Sequence, residues 1–340
     1  MNRWLRKFMA NKTFEFVPLV NTRQAVLLLT LCCLISSSLL VMSAGARDDD
    51  DDDDDDERGA CAMTTAAALS ACQSEKQDDY WIAVGNCHNL VNEKAACLRE
   101  ARKALIEGKQ LCREQRKARA EVCRAVGEAP YDPEVNPAMF VNPAEIGKSI
   151  TPNPYFPLVR GRRLTYKSGA ETINVEVTEE TRVIQGVTCA VITDLVEADG
   201  ETIEDTIDWY AQDIHGNVWY FGELAENYVD GELNNLAGSW TAGVDGAKAG
   251  IIIRAMPRIG EVYREEFSLG NAEDMAETLK LDGSATVPAA ACNGDCLVTK
   301  NFTPTEPGNV DNKYYARGIG VILGINPETG KRTELIRIRR

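Results

Sequence analysis

Thr202-Ile203-Glu204-Asp205-Thr206-Ile207-Asp208-Trp209-Tyr210 alternates apolar and polar side chains at the period of two that a half-buried β-strand requires. Ile203, Ile207 and Trp209 fall on one face. Glu204, Thr206 and Asp208 fall on the other, where they read as solvated acids rather than catalytic ones. Asp213-Ile214-His215-Gly216-Asn217 supplies a turn, and Val218-Trp219-Tyr220-Phe221-Gly222 returns as a second strand, so the stretch reads as a β-hairpin with aromatic residues on both faces. Such a ribbon is covered on both sides, by strands of its own domain, by an upstream strap bearing Tyr155 and Phe156, or by a bound apolar ligand. Self-packing is the plainer reading. Tyr155, Phe156, Trp209, Trp219 and Phe221 are the candidate ligand-binding residues.

Working outward, the whole of residues 161–340 has the same texture: short segments rich in Val, Ile, Thr and Tyr, separated by Gly, Asp and Asn, the pattern of an antiparallel β-meander. Three cysteines fall in it. Cys292 and Cys296 bracket Asn293-Gly294-Asp295, and a bridge across that turn leaves Cys189 as a buried free thiol; the rival pairing is Cys189 with Cys296. The surroundings of Cys189, Val187-Thr188-Cys189-Ala190-Val191-Ile192, argue against a reactive thiol, because apolar burial raises its pKa. Upstream, residues 128–160 are a Pro-rich strap. Seven of the thirteen prolines lie between Gly127 and Pro157, and repeated X-Pro pairs favour an extended chain.

Residues 60–127 carry six cysteines at 61, 72, 87, 97, 112 and 123, with successive gaps of 11, 15, 10, 15 and 11 residues. The spacing is a palindrome about position 92. Pairing from the outside inwards, Cys61 with Cys123, Cys72 with Cys112 and Cys87 with Cys97, is the condition for residues to face each other across an antiparallel hairpin. Both arms are composed of helix formers, over Ala60–Val84 and Glu93–Val126, with Asn89–Asn92 as the turn and Asn92 as N-cap. Helical phase favours the outer two rungs, since eleven residues return within about 20° of the same face while fifteen drift by about 60°. Ala68 and Gly108 allow the close approach that disulfides demand. There is no C-x-x-C, and Cys87-His88 lacks the upstream cysteine of a haem attachment, so no metal and no cofactor is expected. The basic residues of the second arm, Arg119 among them, are interspersed with acids and read as a mixed solvated face rather than a nucleic-acid surface.

The N-terminus reads as an export signal. Five basic residues among the first 24 precede an uncharged run from Ala25 to Met42, and Ser43-Ala44-Gly45-Ala46 offers a small-residue cleavage site. Residues 1–46 are thus a cleaved signal peptide or, if uncleaved, a signal anchor through residues 25–42, the one membrane contact expected. Nine aspartates, Asp48–Asp56, followed by Glu57 make residues 47–59 an acidic, disordered spacer. The chain of 340 residues carries a formal net charge of −15, 44% hydrophobic and 26% charged residues, and eleven cysteines, which fits an exported globular protein maturing in an oxidising compartment, in the periplasm, at the cell surface or secreted.

Three patterns carry a resemblance to a group of uncharacterised exported bacterial proteins: Asn153-Pro154-Tyr155-Phe156-Pro157-Leu158 with Gly161 and Tyr166; Asp208-Trp209-Tyr210-Ala211-Gln212-Asp213 running through Gly216–Gly222; and Lys313-Tyr314-Tyr315-Ala316 with Gly318, Gly320 and Val321. Together they span residues 130–325. The closing strand also resembles those of periplasmic half-barrels that carry lipoproteins or lipids, with Arg317 where such strands usually have proline. The family resemblance implies no activity and no catalytic residue, and the half-barrel likeness is one of fold.

The expected fold class is α+β, an N-terminal disulfide-stapled antiparallel helical hairpin followed by a mostly antiparallel β-meander, half-barrel or sandwich-like. No catalytic residue is assigned: neither His88 nor His215 has a nucleophile at a motif spacing, and G-x-S-x-G, H-E-x-x-H, P-loop and S-x-x-K motifs are absent. The leading expectation is a non-catalytic exported structural or interaction protein with a protein partner. The alternative is a binding module for an apolar ligand, lipid or peptide, and the least supported is a hydrolase. A pocket enclosing Trp209 or Trp219 would favour binding, and a buried cluster of acids around His215 would favour an enzyme.

Overall fold

The computed structural model describes residues 59–339. The signal or anchor at 1–46 and all of the spacer 47–59 but Gly59 lie outside the described residues. The alanine-rich and Lys/Arg/Glu-rich arms form helices α1, Ala60–His88, and α2, Lys94–Val126. Disulfides Cys61–Cys123, Cys72–Cys112 and Cys87–Cys97 join them as rungs with Cα atoms 5.7, 5.8 and 5.5 Å apart. Helices come this close only where the interfacial side chains are small. Ala68 and Ala101 are buried between the arms, and a Cβ at Gly108 would meet the Lys76 stem at 3.0 Å. The turn differs from expectation in two respects. α1 continues unbroken through Gly85 and Asn86, and the residue capping α2 is Glu93, in a left-handed conformation at φ 62°, rather than Asn92. With both flanking cysteines held in helix by their rung, the reversal is compressed into Asn89–Glu93.

The strap that follows contains two single-turn 3-10 helices, Pro137–Met139 and Pro143–Glu145. Each is opened by an asparagine whose Oδ1 accepts a backbone N–H two residues on, at 3.1 Å for Asn136 and 3.0 Å for Asn142.

The β-domain begins with β1 Arg163–Ser168, β2 Glu171–Ile184, β3 Val187–Ala198, β4 Glu201–Gln212 and β5 Val218–Val229, the last flanked by short β6 Glu232–Asn235 and β7 Trp240–Thr241. It continues with β8 Lys248–Ile253, β9 Val262–Arg264, β10 Glu266–Phe267, β11 Met275–Val287, β12 Ala290–Phe302, β13 Val310–Ala316, β14 Gly320–Ile325 and β15 Arg332–Arg339. All belong to one antiparallel sheet in the order β10-β8-β5-β4-β3-β2-β1-β15-β14-β13-β12-β11-β9, with β6 and β7 paired to β5. Two-residue turns such as Asp199-Gly200, both at positive φ (52° and 88°), give the tight reversals that match strand twist.

The order has a consequence at its ends. β9 and β10 are separated in the chain by Glu265 alone, yet sit at opposite edges of the sheet, so this segment spans the seam and the sheet curls into a nearly closed barrel. Closure is tight at Gly250 on β8, where a Cβ would stand 2.4 Å from the Glu265 carbonyl group, so only glycine fits. Curvature beyond a half-barrel removes the exposed edges that an open sheet of this size would present. Four disulfides among the described residues, the three hairpin rungs and Cys292–Cys296, mark a protein that folds under oxidising conditions. Among the described residues, no helix is long and apolar enough to cross a membrane.

Candidate ligand-binding cleft and barrel interior

Barrel closure reverses the reading of β4. Ile203 and Ile207 are only partly buried, whereas Glu204, Thr206 and Asp208 are buried. The acids are not solvated. Register explains why: Asp194 and Ile192 of β3 face Thr206 and Asp208 of β4, which in turn face Ala225 and Glu223 of β5, so these residues share the concave face. Tyr220 donates to Asp208 Oδ1 at 2.5 Å and stacks on Tyr210 with ring centroids 4.5 Å apart. Around the seam, Trp240 Nε1 donates to Glu266 at 2.9 Å, and Asn301 Nδ2 donates to both oxygens of Glu265 at 2.9 and 2.8 Å. Carboxylates and tyrosines, with the buried Lys313, thus share the interior with the apolar core. Asp194, 1% exposed, has both oxygens without a hydrogen-bond partner beside a cavity of about 30 Å³, room for one water. Burial, reinforced by Asp208, Glu204 and Glu223, holds its pKa well above the ordinary aspartate value.

His215 is not part of this cluster. It is exposed, and the acid beside it, Asp213, is consumed by its own turn: Oδ1 accepts the N–H groups of His215 and Asn217 at 2.9 Å each, and Oδ2 accepts Asn217 Nδ2 at 2.8 Å and Trp219 Nε1 at 3.0 Å. His88 is exposed at the end of α1.

The strap places the aromatic candidates in three environments. Phe140 lies edge-on against Trp219 and Phe221, with centroids 5.9 and 5.5 Å apart, so Phe221 is buried core. Asn153 then turns the chain inward: its Oδ1 accepts the N–H groups of Tyr155 and Phe156 at 2.8 and 3.0 Å, and its own N–H donates to Gln212 at 2.8 Å. That turn seats Phe156 against Tyr210 at 5.1 Å, on the wall of the Asp194 cavity. Tyr155 is buried under the Arg317 guanidinium at 4.8 Å, and Trp209 under that of Arg182 at 3.8 Å. Cys189 is a buried free thiol, and burial pushes its pKa up to about 12 against the pull of Arg182.

Trp219 alone of the five reaches a sizeable opening. Between the start of α1, the end of α2, the beginning of the strap and the seam strands is a partly open cleft of about 670 Å³, within the roughly 300–1,000 Å³ range of small-molecule sites. Val122 and Val126 of α2, Pro130 and Tyr131 of the strap, and Ile251 and Phe267 of the barrel form apolar walls. Tyr131 is fixed by donating to the Ala249 carbonyl at 2.9 Å, and its burial raises its pKa to about 12. Three arginines, Arg119, Arg254 and Arg264, enter the cleft. Arg119 departs from the solvated face read for α2: it is 5% exposed and grips Glu273 through Nε at 2.9 Å and Nη2 at 2.6 Å.

Sequence reasoning passed over these arginines and the buried acids for one reason. An arginine on an amphipathic helix and an acid on an alternating strand look the same whether their faces meet water or a second layer of structure. The hint present in the sequence was Asp194 set within the apolar run of β3. Comparison with protein-family models, with curated proteins and with solved structures finds no match for this chain.

Proposed function

We propose that this protein is an exported, non-catalytic binding module whose ligand occupies the cleft at Trp219. The observation that carries the reading is a preformed opening of about 670 Å³ with apolar walls and a few convergent polar groups, placed where hairpin, strap and barrel meet. Pre-organisation supports it as well: the disulfide rungs and the Arg119–Glu273 pair hold the walls, so little ordering entropy opposes binding. The compartment that fits is the periplasm, the cell surface or the exterior, with the acidic segment as a spacer. Among the described residues, no proton-transfer pair or activated nucleophile lines the cleft, which favours binding over hydrolysis.

A second reading, presentation to a protein partner, is supported by the apolar side chains exposed on the hairpin, Trp81 and Ile106 at 61% each and Ile82 at 52%. One experiment separates the two. Native mass spectrometry of the chain matured in an oxidising host is expected to give an excess of roughly a few hundred daltons, the scale of ligand such a site holds, lost on denaturation. An excess equal to a second polypeptide would favour the interaction reading. A bare mass, together with unchanged tryptophan emission across neutral, anionic and cationic amphiphiles, would overturn the cleft reading.

A further inference from the structure

On a chain whose formal net charge is −15, the cleft lining carries three arginines against two carboxylates, Glu273 and the exposed Asp245. Its three arginines are not equally compensated. Arg254 is paired with Glu261, Nε to Oε1 at 3.0 Å. Arg119 spends Nε and Nη2 on Glu273 and leaves Nη1, buried, without a hydrogen-bond partner. Arg264, at the end of β9, has no carboxylate within salt-bridge distance among the described residues. It lies over the rings of Phe267 at 4.8 Å and Tyr131 at 5.3 Å, with Nη1 3.8 Å from the Met275 sulfur. Desolvation by burial lowers its pKa, with Glu273 opposing, which marks a cation drawn out of water without a counter-charge in contact.

Resting on the binding reading above, we infer that the ligand is an amphipathic monoanion, a carboxylate on an apolar tail, whose head pairs with Arg264 and accepts from the free Nη1 of Arg119. A planar guanidinium presents two parallel N–H donors that match a carboxylate. A monoanion fits because one guanidinium, that of Arg264, has no carboxylate in contact among the described residues; a dianion would carry a second, unpaired negative charge into the same desolvated site. The tail is called for by Val122, Val126, Pro130 and Ile251, which offer no hydrogen-bonding side chain. The Glu273 oxygens are already taken by Arg119 and by the Gly270 N–H at 2.7 Å, so Glu273 acts on Arg264 through its charge without contacting it.

The test compares head groups on the intact oxidised chain. Dodecanoate, 1-dodecanol and dodecyltrimethylammonium, each below its micellar concentration, are titrated by calorimetry with tryptophan emission as a second signal. Dodecanoate is expected to bind roughly ten-fold or more tighter than dodecanol, and the cation weakest, because a charge-assisted pair replaces an unpaired cation. In Arg264→Gln the dodecanoate-to-dodecanol ratio is expected to fall to near one with dodecanol affinity kept. Equal affinity of dodecanoate and dodecanol for the unmodified chain would overturn the anion inference and leave the binding reading standing. A ratio unchanged in Arg264→Gln would also overturn it, by placing the head group elsewhere. Binding of none of the three would overturn the binding reading and the inference with it. Should Arg264→Gln not fold, Arg264→Met, which suits the Phe267, Tyr131 and Met275 surroundings, replaces it: a dodecanoate-to-dodecanol ratio near one supports the inference, and an unchanged ratio sinks it.

Discussion

Asp194 interrupts the apolar run of β3 and stands, 1% exposed, on the concave face among Asp208, Glu204 and Glu223. Its pKa is raised, so between the ordinary value of 3.8 and its folded value the native state holds a proton that the unfolded chain releases. Stability from this group is therefore fully present at acid pH and is lost as pH rises through that window. Asp194→Asn removes the titration. The variant is expected to be more stable than the parent at pH 8, with the difference shrinking as pH falls toward 4, measured by urea unfolding at a series of pH values. A variant no more stable at pH 8 would show that the carboxyl is compensated in the fold. At this scale the sequence was readable where chemistry is local, as for Cys189 in its apolar strand. It was unreadable for Glu204, Thr206 and Asp208, because alternation assigns residues to two faces without saying which face is inside.

The helical hairpin shows how far an element can be derived from its own residues. The palindromic cysteine spacing, helix-forming arms and small residues at Ala68 and Gly108 are local facts, and rungs worth about 2–4 kcal/mol each substitute for the core a two-helix element lacks. What the hairpin packs against is not local. Arg119, one of many basic residues on α2, is drawn into a buried pair with Glu273, and Gln115 donates to the Thr305 carbonyl at 2.8 Å. Breaking one partner of a buried pair leaves an uncompensated charge, at about 3–5 kcal/mol, whereas replacing both by apolar groups is close to neutral. Glu273→Met is thus expected to cost about 3–5 kcal/mol in urea unfolding and the double variant Arg119→Met/Glu273→Met to recover most of it. Equal losses in the two would mean the pair contributes net stability.

At the scale of the whole molecule, hairpin, strap and barrel from Gly59 onward form one compact unit. The barrel seam, the Arg119–Glu273 pair and the strap's inward turn at Asn153 each join distant parts of the chain, so loss of one exposes the others. Thermal unfolding is expected to be a single transition in which the helical far-UV signal and the aromatic near-UV signal coincide; two separated transitions would show that the hairpin folds on its own. Periodicity, turn chemistry and cysteine spacing were sufficient for the α+β class, the order of helices before strands, and the hairpin architecture, because each depends on contacts between residues close in sequence or on a spacing rule. Closure of the sheet was beyond them. It depends on β9 and β10 pairing with opposite edges across Glu265, a long-range match that carries no local signature, and closure decides which strand face is buried and where the arginines of α2 and β9 converge. The buried carboxylates of the interior and the arginine-lined cleft are therefore properties of the folded chain that the residues acquire only from their distant neighbours.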